Sequence, residues 1–518
     1  MRALSLLPLL GLAACARGEY GLRIVTGDQS VREAVLIWEV YVLSGGCSAD
    51  LDGRAPSTDR ILVQQRWTRG SEPPELGDLD PGRYAIYVRA SDDHCATRWV
   101  GCADRTFEAG GTGAISVELA SISGAFCVAD AQCSTSCGCG ALSCAWGCSE
   151  AGDAHCQQPA PSGGAVVGAD LDPNGALEEV TLAPPLTLDT DDGSIDGVRP
   201  AGTGVIGGIG FAVRGNVGVF TFARLRITAG TLSIRGRNAA ALVSQGEIDL
   251  IGIIDALGDC VGNHPGPGGG AGGMVNMGGQ GLGGGGGGAG QHDDASGGAG
   301  GGHAGAGGAG GEGETVASSV PGAAGGDPSI SILIGGSGGG GGGGTAGGLG
   351  GGGGGAVQLV AGAALSISGG INAGGCGGRG ARSGAGNADD GGGGGGSGGT
   401  ILLEASSISL GPTAVLAANG GGGGGGDSDG FDGEAGTLSR APAVGGSGSG
   451  GGGRGSGNGG LQGEAGQNDK NGGGGGGGAG RIRLNTRSAA ATIDPAAVLS
   501  PGLQDPGGAA SQGVLSVR

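Results

Sequence analysis

One motif of about twenty residues recurs in the C-terminal half, and it narrows the folds open to this chain. Ala356–Ala373 reads AVQLVAGAALSISGGINA. It breaks into three short alternating runs: Val357 and Leu359, then Leu365 and Ile367, then Ile371 and Ala373, with Gly362, Gly369 and Gly370 between them. Ala241–Leu257 (ALVSQGEIDLIGIIDAL) and Ile401–Ala418 (ILLEASSISLGPTAVLAA) repeat that order. Arg481–Leu499 (RIRLNTRSAAATIDPAAVL) is a worn copy, and Leu225–Ile234 (LRITAGTLSI) is part of an earlier one. Alternation with period two marks a strand with one buried face. A unit this small cannot bury its apolar face alone, whereas stacked copies bury a continuous core. Positions such as Ile248/Leu250, Leu365/Ile367 and Ile408/Leu410 would then form ladders about 4.8 Å apart. A β-sandwich uses the same alternation but does not predict three runs in a fixed internal order. The expectation is a right-handed parallel β-helix over 161–518, with three strands per turn and Val205–Ile234 as its start.

Glycine separates the copies. The chain holds 139 glycines, most of them after Gly258, in excursions at 258–355, 374–399 and 419–480. Each excursion leaves just after a third run and returns just before a first, so all three should emerge on one edge of the stack. Runs such as Gly281–Ala289 carry almost no apolar area, and ordering each residue costs about 1–2 kcal/mol, glycine more than most. Two readings stand: flexible loops, or extended polyglycine-II strands packed side by side, where absent side chains allow close backbone approach. From Pro161 to the end, the chain resembles glycine-rich surface lipoproteins of myxobacteria-like bacteria. That resemblance implies a pectin-lyase-like or adhesin-type β-helical region with no catalytic motif. A phosphate-binding loop is excluded, because no G-x-x-x-x-G-K-[ST] occurs and GxGxxG means nothing where glycine is this abundant.

The N-terminus, MRALSLLPLLGLAAC, has one charge and an apolar stretch too short to span a bilayer, so 1–14 reads as a signal peptide. Leu12-Ala13-Ala14-Cys15 resembles the bacterial lipobox, which implies that Cys15 is lipidated and that the membrane is a partner through the lipid. Ala16 rather than aspartate after the cysteine implies the outer membrane. Net charge is −20 with a single lysine, Lys470, which argues against nucleic acid.

Residues 15–122 read as the lipidated N-terminus and a small antiparallel β-sandwich. Its expected strands are Ala34–Leu43, Ile61–Trp67, Gly82–Ala90 and Ala114–Leu119. The PGRYAIYVRASD run resembles immunoglobulin-like or transthyretin-like modules of bacterial lipoproteins. This region carries Cys47, Cys95 and Cys102. A cysteine-rich knot is expected over 123–160, with Cys127, Cys133, Cys137, Cys139, Cys144, Cys148 and Cys156. So short a segment cannot build a core, and staples must replace it. Zinc is the weaker reading, since only His155 lies nearby and paired CxxC is lacking. Three cysteines before the knot and seven within it are both odd, so one bridge should join the two. Cys260 and Cys376 follow their own third runs at nearly equal offsets. They should meet on neighbouring turns as a disulfide closing the longest glycine excursion.

Calcium is the one cofactor the sequence suggests. Asp170, Asp172 and Asn174 resemble the opening of a calcium loop, as do Asp189 and Asp191, and Asp427 with Asp429. None completes the pattern, and Asp-rich surface turns explain them better. For function, the expectation is a non-catalytic surface lipoprotein, structural or adhesive, with surface polysaccharide or other cell-surface proteins as partners. The alternative is a carbohydrate-active β-helix enzyme, a lyase or hydrolase. Such enzymes need carboxylates clustered on one face. Here Asp249 and Asp255 have Ser366 and Asn372 as counterparts, and no face accumulates acid. His264, His292 and His303 sit among glycines with no matching nucleophile.

Overall fold

The computed structural model describes residues 19–127, 154–155 and 159–516, apart from short loop stretches between 28 and 111 and from 172–176, 292 and 382–388. The chain divides into two compact units, Met1–Gln157 and Gln158–Arg518. Among the described residues, the regular structure of both is β apart from one short α-helix and one 3-10 turn.

The first unit contains β1 (Glu19–Thr26), α1 (Gln29–Ala34), β2 (Ile37–Ser44), β3 (Ile61–Thr68), β4 (Gly82–Ser91), β5 (Thr97–Phe107), β6 (Thr112–Cys127) and β7 (Ala154–His155). Alternating β-branched and aromatic residues make β2 and β4 buried on both faces. Val40, Val42, Ile86 and Val88 pack with Trp99 and Val117 on one side, and Tyr41, Leu43, Ala85 and Tyr87 pack on the other. The strands form one continuous path, β1-β6-β5-β4-β2-β3, with β7 added on β6. This differs from the expected antiparallel sandwich, because β1 and β6 run parallel from Glu19↔Thr112 to Thr26↔Leu119. β6 is 16 residues long, enough to serve two partners. Its first half pairs with β1, and its later part pairs with β5 at Val100↔Ala120 and Thr97↔Phe126. Ala34 also differs from expectation, closing α1 instead of opening a strand.

Cys47 and Cys102 are disulfide-bonded with Cα atoms 5.9 Å apart. Cys15, Cys95, Cys133, Cys137, Cys139, Cys144, Cys148 and Cys156 lie outside the described residues, as does the side chain of Cys127. The expected bridge between the first region and the knot falls there too.

The second unit opens with β8 (Glu179–Leu182), β9 (Leu186–Asp189), β10 (Gly204–Ile206), β11 (Ile209–Arg214) and β12 (Val217–Phe222). It continues with β13 (Arg224–Ile227), β14 (Thr231–Arg235), β15 (Ala239–Ser244), β16 (Ile248–Leu250) and β17 (Ile253–Asp255). A small hairpin, β18 (Gly290–Gln291) and β19 (Asp294–Ala295), lies in the first glycine excursion. Three strand triplets follow: β20 (Ala356–Ala361), β21 (Ala364–Ile367) and β22 (Gly370–Asn372); β23 (Thr400–Ala405), β24 (Ser407–Leu410) and β25 (Val415–Ala417); β26 (Arg481–Thr486), β27 (Thr492–Ile493) and β28 (Val498–Ser500). The last strand is β29 (Ala510–Val514).

The chain visits three sheets in turn. Their orders are β10-β11-β12-β15-β20-β23-β26-β29, β8-β13-β16-β21-β24-β27 and β9-β14-β17-β22-β25-β28. Every pairing is parallel except β10–β11 and β11–β12. The register stacks like on like: Ile248↔Leu365 and Leu365↔Ile408 in the second sheet, and Ile254↔Ile371, Ile371↔Leu416 and Leu416↔Leu499 in the third. In the first sheet Phe220, Leu242, Leu359, Leu403 and Leu484 are aligned. Together they form one aliphatic core. The stack begins earlier than expected. Val180, Leu182, Leu186 and Leu188 already belong to β8 and β9, their alternation masked by neighbouring acidic and proline residues. At this end the buried Arg199 guanidinium donates to the carbonyls of Gly193, Pro200, Ile209, Gly202 and Gly204.

The outer face of the first sheet is apolar as well. Val219, Ala241, Val360 and Leu402 are covered by Ala165, Val166, Ile330 and Leu333. One carboxylate lies within this layer. Glu404 is fully buried and accepts from Ser162 N and Oγ, Gln358 Nε2 and Asn485 Nδ2. Those four donors satisfy a charge that would otherwise be costly to bury.

Candidate functional site

Among the described residues, the glycine excursions are not loose. They leave after β17, β22 and β25 and return at β20, β23 and β26, and their backbones pack into one hydrogen-bonded body. The stretch 391–398 lies within it. Its N–H groups point in three directions in succession. Gly392, Gly395 and Gly398 donate to Gly472, Gly475 and Gly478; Gly393 and Gly396 donate to Arg379 and Cys376; Gly391, Gly394 and Ser397 donate to Gly343, Gly340 and Ser337. Its carbonyls accept from three further stretches: from Gly298 and Gly301, from Gly424 and Gly421, and from Gly348, Gly351 and Gly354. These bonds are 2.8–3.0 Å long and link 391–398 to neighbours running both parallel and antiparallel to it. A period of three, with bonds only between strands, is the geometry of an extended threefold backbone. Glycine is required by closeness. A Cβ on Gly392, Gly393, Gly394, Gly395 or Gly396 would lie 2.1–2.2 Å from a neighbour's carbonyl oxygen. Buried serines put their hydroxyls to the service of the backbone: Ser337 N donates to Ser397 Oγ, and Gly420 N to Ser456 Oγ.

The Cys260–Cys376 disulfide, with Cα atoms 5.2 Å apart, ties the start of the first excursion to this body. Cys376 is fully buried, and its carbonyl accepts from Gly396.

Where the body meets the returning strands there is a cavity of about 310 Å³ with walls formed by Leu282, Ile330, Ile332 and Ile334. Its polar side chains are His303, Asp327, Ser331, Thr400 and Arg481. Arg481 opens β26, and its Nη2 donates to the carbonyls of Gly325 and Gly326 at 2.7 and 3.2 Å. Arg481 Nε is buried with no hydrogen-bond partner. His303 is buried, and its Nδ1 lies 3.0 Å from the Gly398 carbonyl. Burial pushes its pKa down to about 4, so the ring is neutral near pH 7. Asp327 accepts from Ser329 and Ser331, which hold its carboxyl well below the usual range. Burial lowers the pKa of the Arg481 guanidinium, and the Asp327 charge offsets part of that.

Of the calcium candidates, Asp170, Asp189, Asp191 and Asp427 have protein partners, and Asp429 is exposed. Asp170 accepts from Val167 N at 2.9 Å and is paired with Arg214. Asp189 accepts from Asp191 N at 2.7 Å. Asp191 accepts from Arg237 N and Nε and from Asn238 Nδ2. Asp427 lies against Asp389 and pushes the pKa of that carboxyl up. The structure does not bring the three sets together, and Asp172 and Asn174 lie outside the described residues. Among the described residues, no group of three or more His, Cys, Asp or Glu side chains is placed to hold a metal ion. Of the three histidines noted in the sequence, His303 is in the cavity, His264 lines a second depression beside Arg235 and Arg237, and His292 is outside the described residues. Sequence reasoning did not single out Arg481, whose only signal was a charged residue opening an apolar strand.

No helix among the described residues is long and apolar enough to cross a membrane. No family model matches this chain, and no curated protein or solved structure matches it either.

Proposed function

We propose that this chain is a lipid-anchored protein of the bacterial outer surface with a structural or adhesive role. In this reading, residues 161–518 are a right-handed parallel β-helix that carries a polyglycine-II bundle. The observation that carries it is the hydrogen bonding of 391–398, where successive N–H groups serve different neighbouring strands. A lattice of this kind commits its backbone to itself and has almost no side chains to spare for chemistry. It suits a rigid display surface better than a catalytic cleft. The anchor is Cys15, and the partners are the membrane through the lipid and, beyond it, surface polysaccharide or other cell-surface proteins.

The test is expression of the full chain with its own leader in a Gram-negative host fed an alkyne-tagged palmitate. The label should enter the wild type, vanish in Cys15→Ser, and fractionate with the outer membrane. External protease should remove the protein from intact cells. An unlabelled protein released into the periplasm would sink this reading.

A further inference from the structure

Within 391–398 every N–H finds a partner in one of three directions, but at the margin of the glycine body one direction is left open. In the outer stretch 281–288, Gly285 and Gly288 donate to Gly338 and Gly341, and Gly286 donates to Val320. Gly281, Gly284 and Gly287, one residue in three, find no acceptor among the described residues, and the carbonyls of Gly284 and Gly287 find no donor there. All three glycines are at least partly exposed. In an extended threefold backbone, amides three residues apart point the same way at a spacing of about 9 Å. Such a row resembles the unpaired rim of a β-sheet, which natural proteins guard with charge. A second open row, at Gln462 and Ala465, has Glu464, Asp469 and Lys470 as neighbours. The first has no such guard. No ionisable residue occurs in 265–291 or in 315–326, the stretch that supplies Val320. Apolar side chains flank the row instead: Met277, whose backbone lies against Gly287, Leu282 and Val320 are 60%, 79% and 74% exposed.

We propose that this edge pairs with the same edge of a second copy of the chain. The two stretches 281–288 run antiparallel about a two-fold axis, exchange backbone hydrogen bonds, and cover Met277, Leu282 and Val320 of both copies. The inference rests on the threefold backbone and is independent of where the protein is anchored. Three observations select a second copy as the occupant. The stretch carries unpaired donors and unpaired acceptors, so it is its own complement. The lattice already seats neighbours antiparallel to one another. A chain of net charge −20 repels its copy least across an edge that carries no charge. Water serves the open amides but leaves the three apolar side chains bare. A two-fold contact uses the same patch on both copies and closes at two, so it gives a dimer and not a fibre.

The experiment is analytical ultracentrifugation of the mature, unlipidated chain over a wide range of concentration, with hydrogen exchange on the same samples. The chain should sediment as a dimer above about 10 μM and as a monomer on dilution. Leu282→Asp, at an exposed position, should fold normally and weaken the dimer at least tenfold. Phe431→Asp, at another exposed apolar position (66%), should leave it unchanged. Amides of Gly284 and Gly287 should exchange at least tenfold more slowly in the dimer than in the Leu282→Asp chain, while those of 391–398 stay slow in both. A monomer at every concentration, with 391–398 still slow, sinks the pairing and leaves the lattice standing. Fast exchange of 391–398 removes the lattice and the pairing with it. A dimer that survives Leu282→Asp, or that Phe431→Asp dissociates, places the contact elsewhere and overturns the assignment. Growth beyond two copies overturns the two-fold contact, and unchanged exchange at Gly284 and Gly287 on dimerisation overturns the backbone pairing.

Discussion

A single methyl group is enough to probe the glycine body. A Cβ on Gly394 would sit 2.1 Å from the Ala299 carbonyl oxygen, with backbone rather than a movable side chain in the way. Gly394→Ala should cost at least the about 1–3 kcal/mol typical of an overpacked core. Gly325→Ala, whose Cβ meets nothing within 4 Å, should stay within about 0.5 kcal/mol of wild type. Urea melts of the two variants make the comparison, and equal midpoints would mean that the glycines are not close-packed. His303 gives a second test at this scale. Its folded pKa, about 4, lies below the ordinary value of 6.5, so the unfolded chain binds the proton more readily. Its contribution is whole above pH 6.5 and is lost as pH falls toward 4, with burial and Arg481 opposing the proton and the Gly398 carbonyl favouring it. The loss should approach about 3 kcal/mol. His303→Gln should remove that part of the pH dependence, measured as the difference between the two denaturation midpoints from pH 7 to pH 4.

Among the elements, the Cys260–Cys376 bond closes a loop with a sequence separation of 116. Replacing both cysteines with serine should cost up to about 4–5 kcal/mol in the chain-entropy account, read from urea midpoints. The strands and the glycine stretches can be compared by hydrogen exchange. Amides of 391–398 should be protected to the same degree as those of β20 and β23, because they are as deeply buried and as fully bonded. Rapid exchange there beside slow exchange in the strands would remove the lattice. The ladder was legible because Leu365, Ile367 and Ile371 repeat positions already filled by Ile248, Leu250 and Ile254. The Cys260–Cys376 pair was legible for the same reason, since each cysteine follows a third strand. The first turn was hidden, because prolines and aspartates around β8 and β9 read as surface turns. The order of the glycines was not legible at all, since one composition satisfies both a flexible loop and a lattice. The cavity was equally hidden: Leu282, His303, Ile332 and Arg481 come from distant stretches, and only the packing of the body brings them together.

Taken whole, the second unit has two kinds of interior. The stack of strands buries aliphatic side chains, while the glycine body buries mostly peptide groups. On unfolding, newly exposed apolar surface raises the heat capacity by about 0.45 cal/mol/K per Å² and polar surface lowers it by about 0.26. Scanning calorimetry should therefore give a heat-capacity change below the usual 12–15 cal/mol/K per residue. A value within that range would mean that the body buries more hydrocarbon than its backbone packing allows. The glycine lattice also bears on life at low temperature. Apolar burial loses strength on cooling, whereas hydrogen bonds between peptides do not depend on that driving force. Near freezing, the aliphatic stack is the part that weakens, and the glycine body is the part that holds its shape.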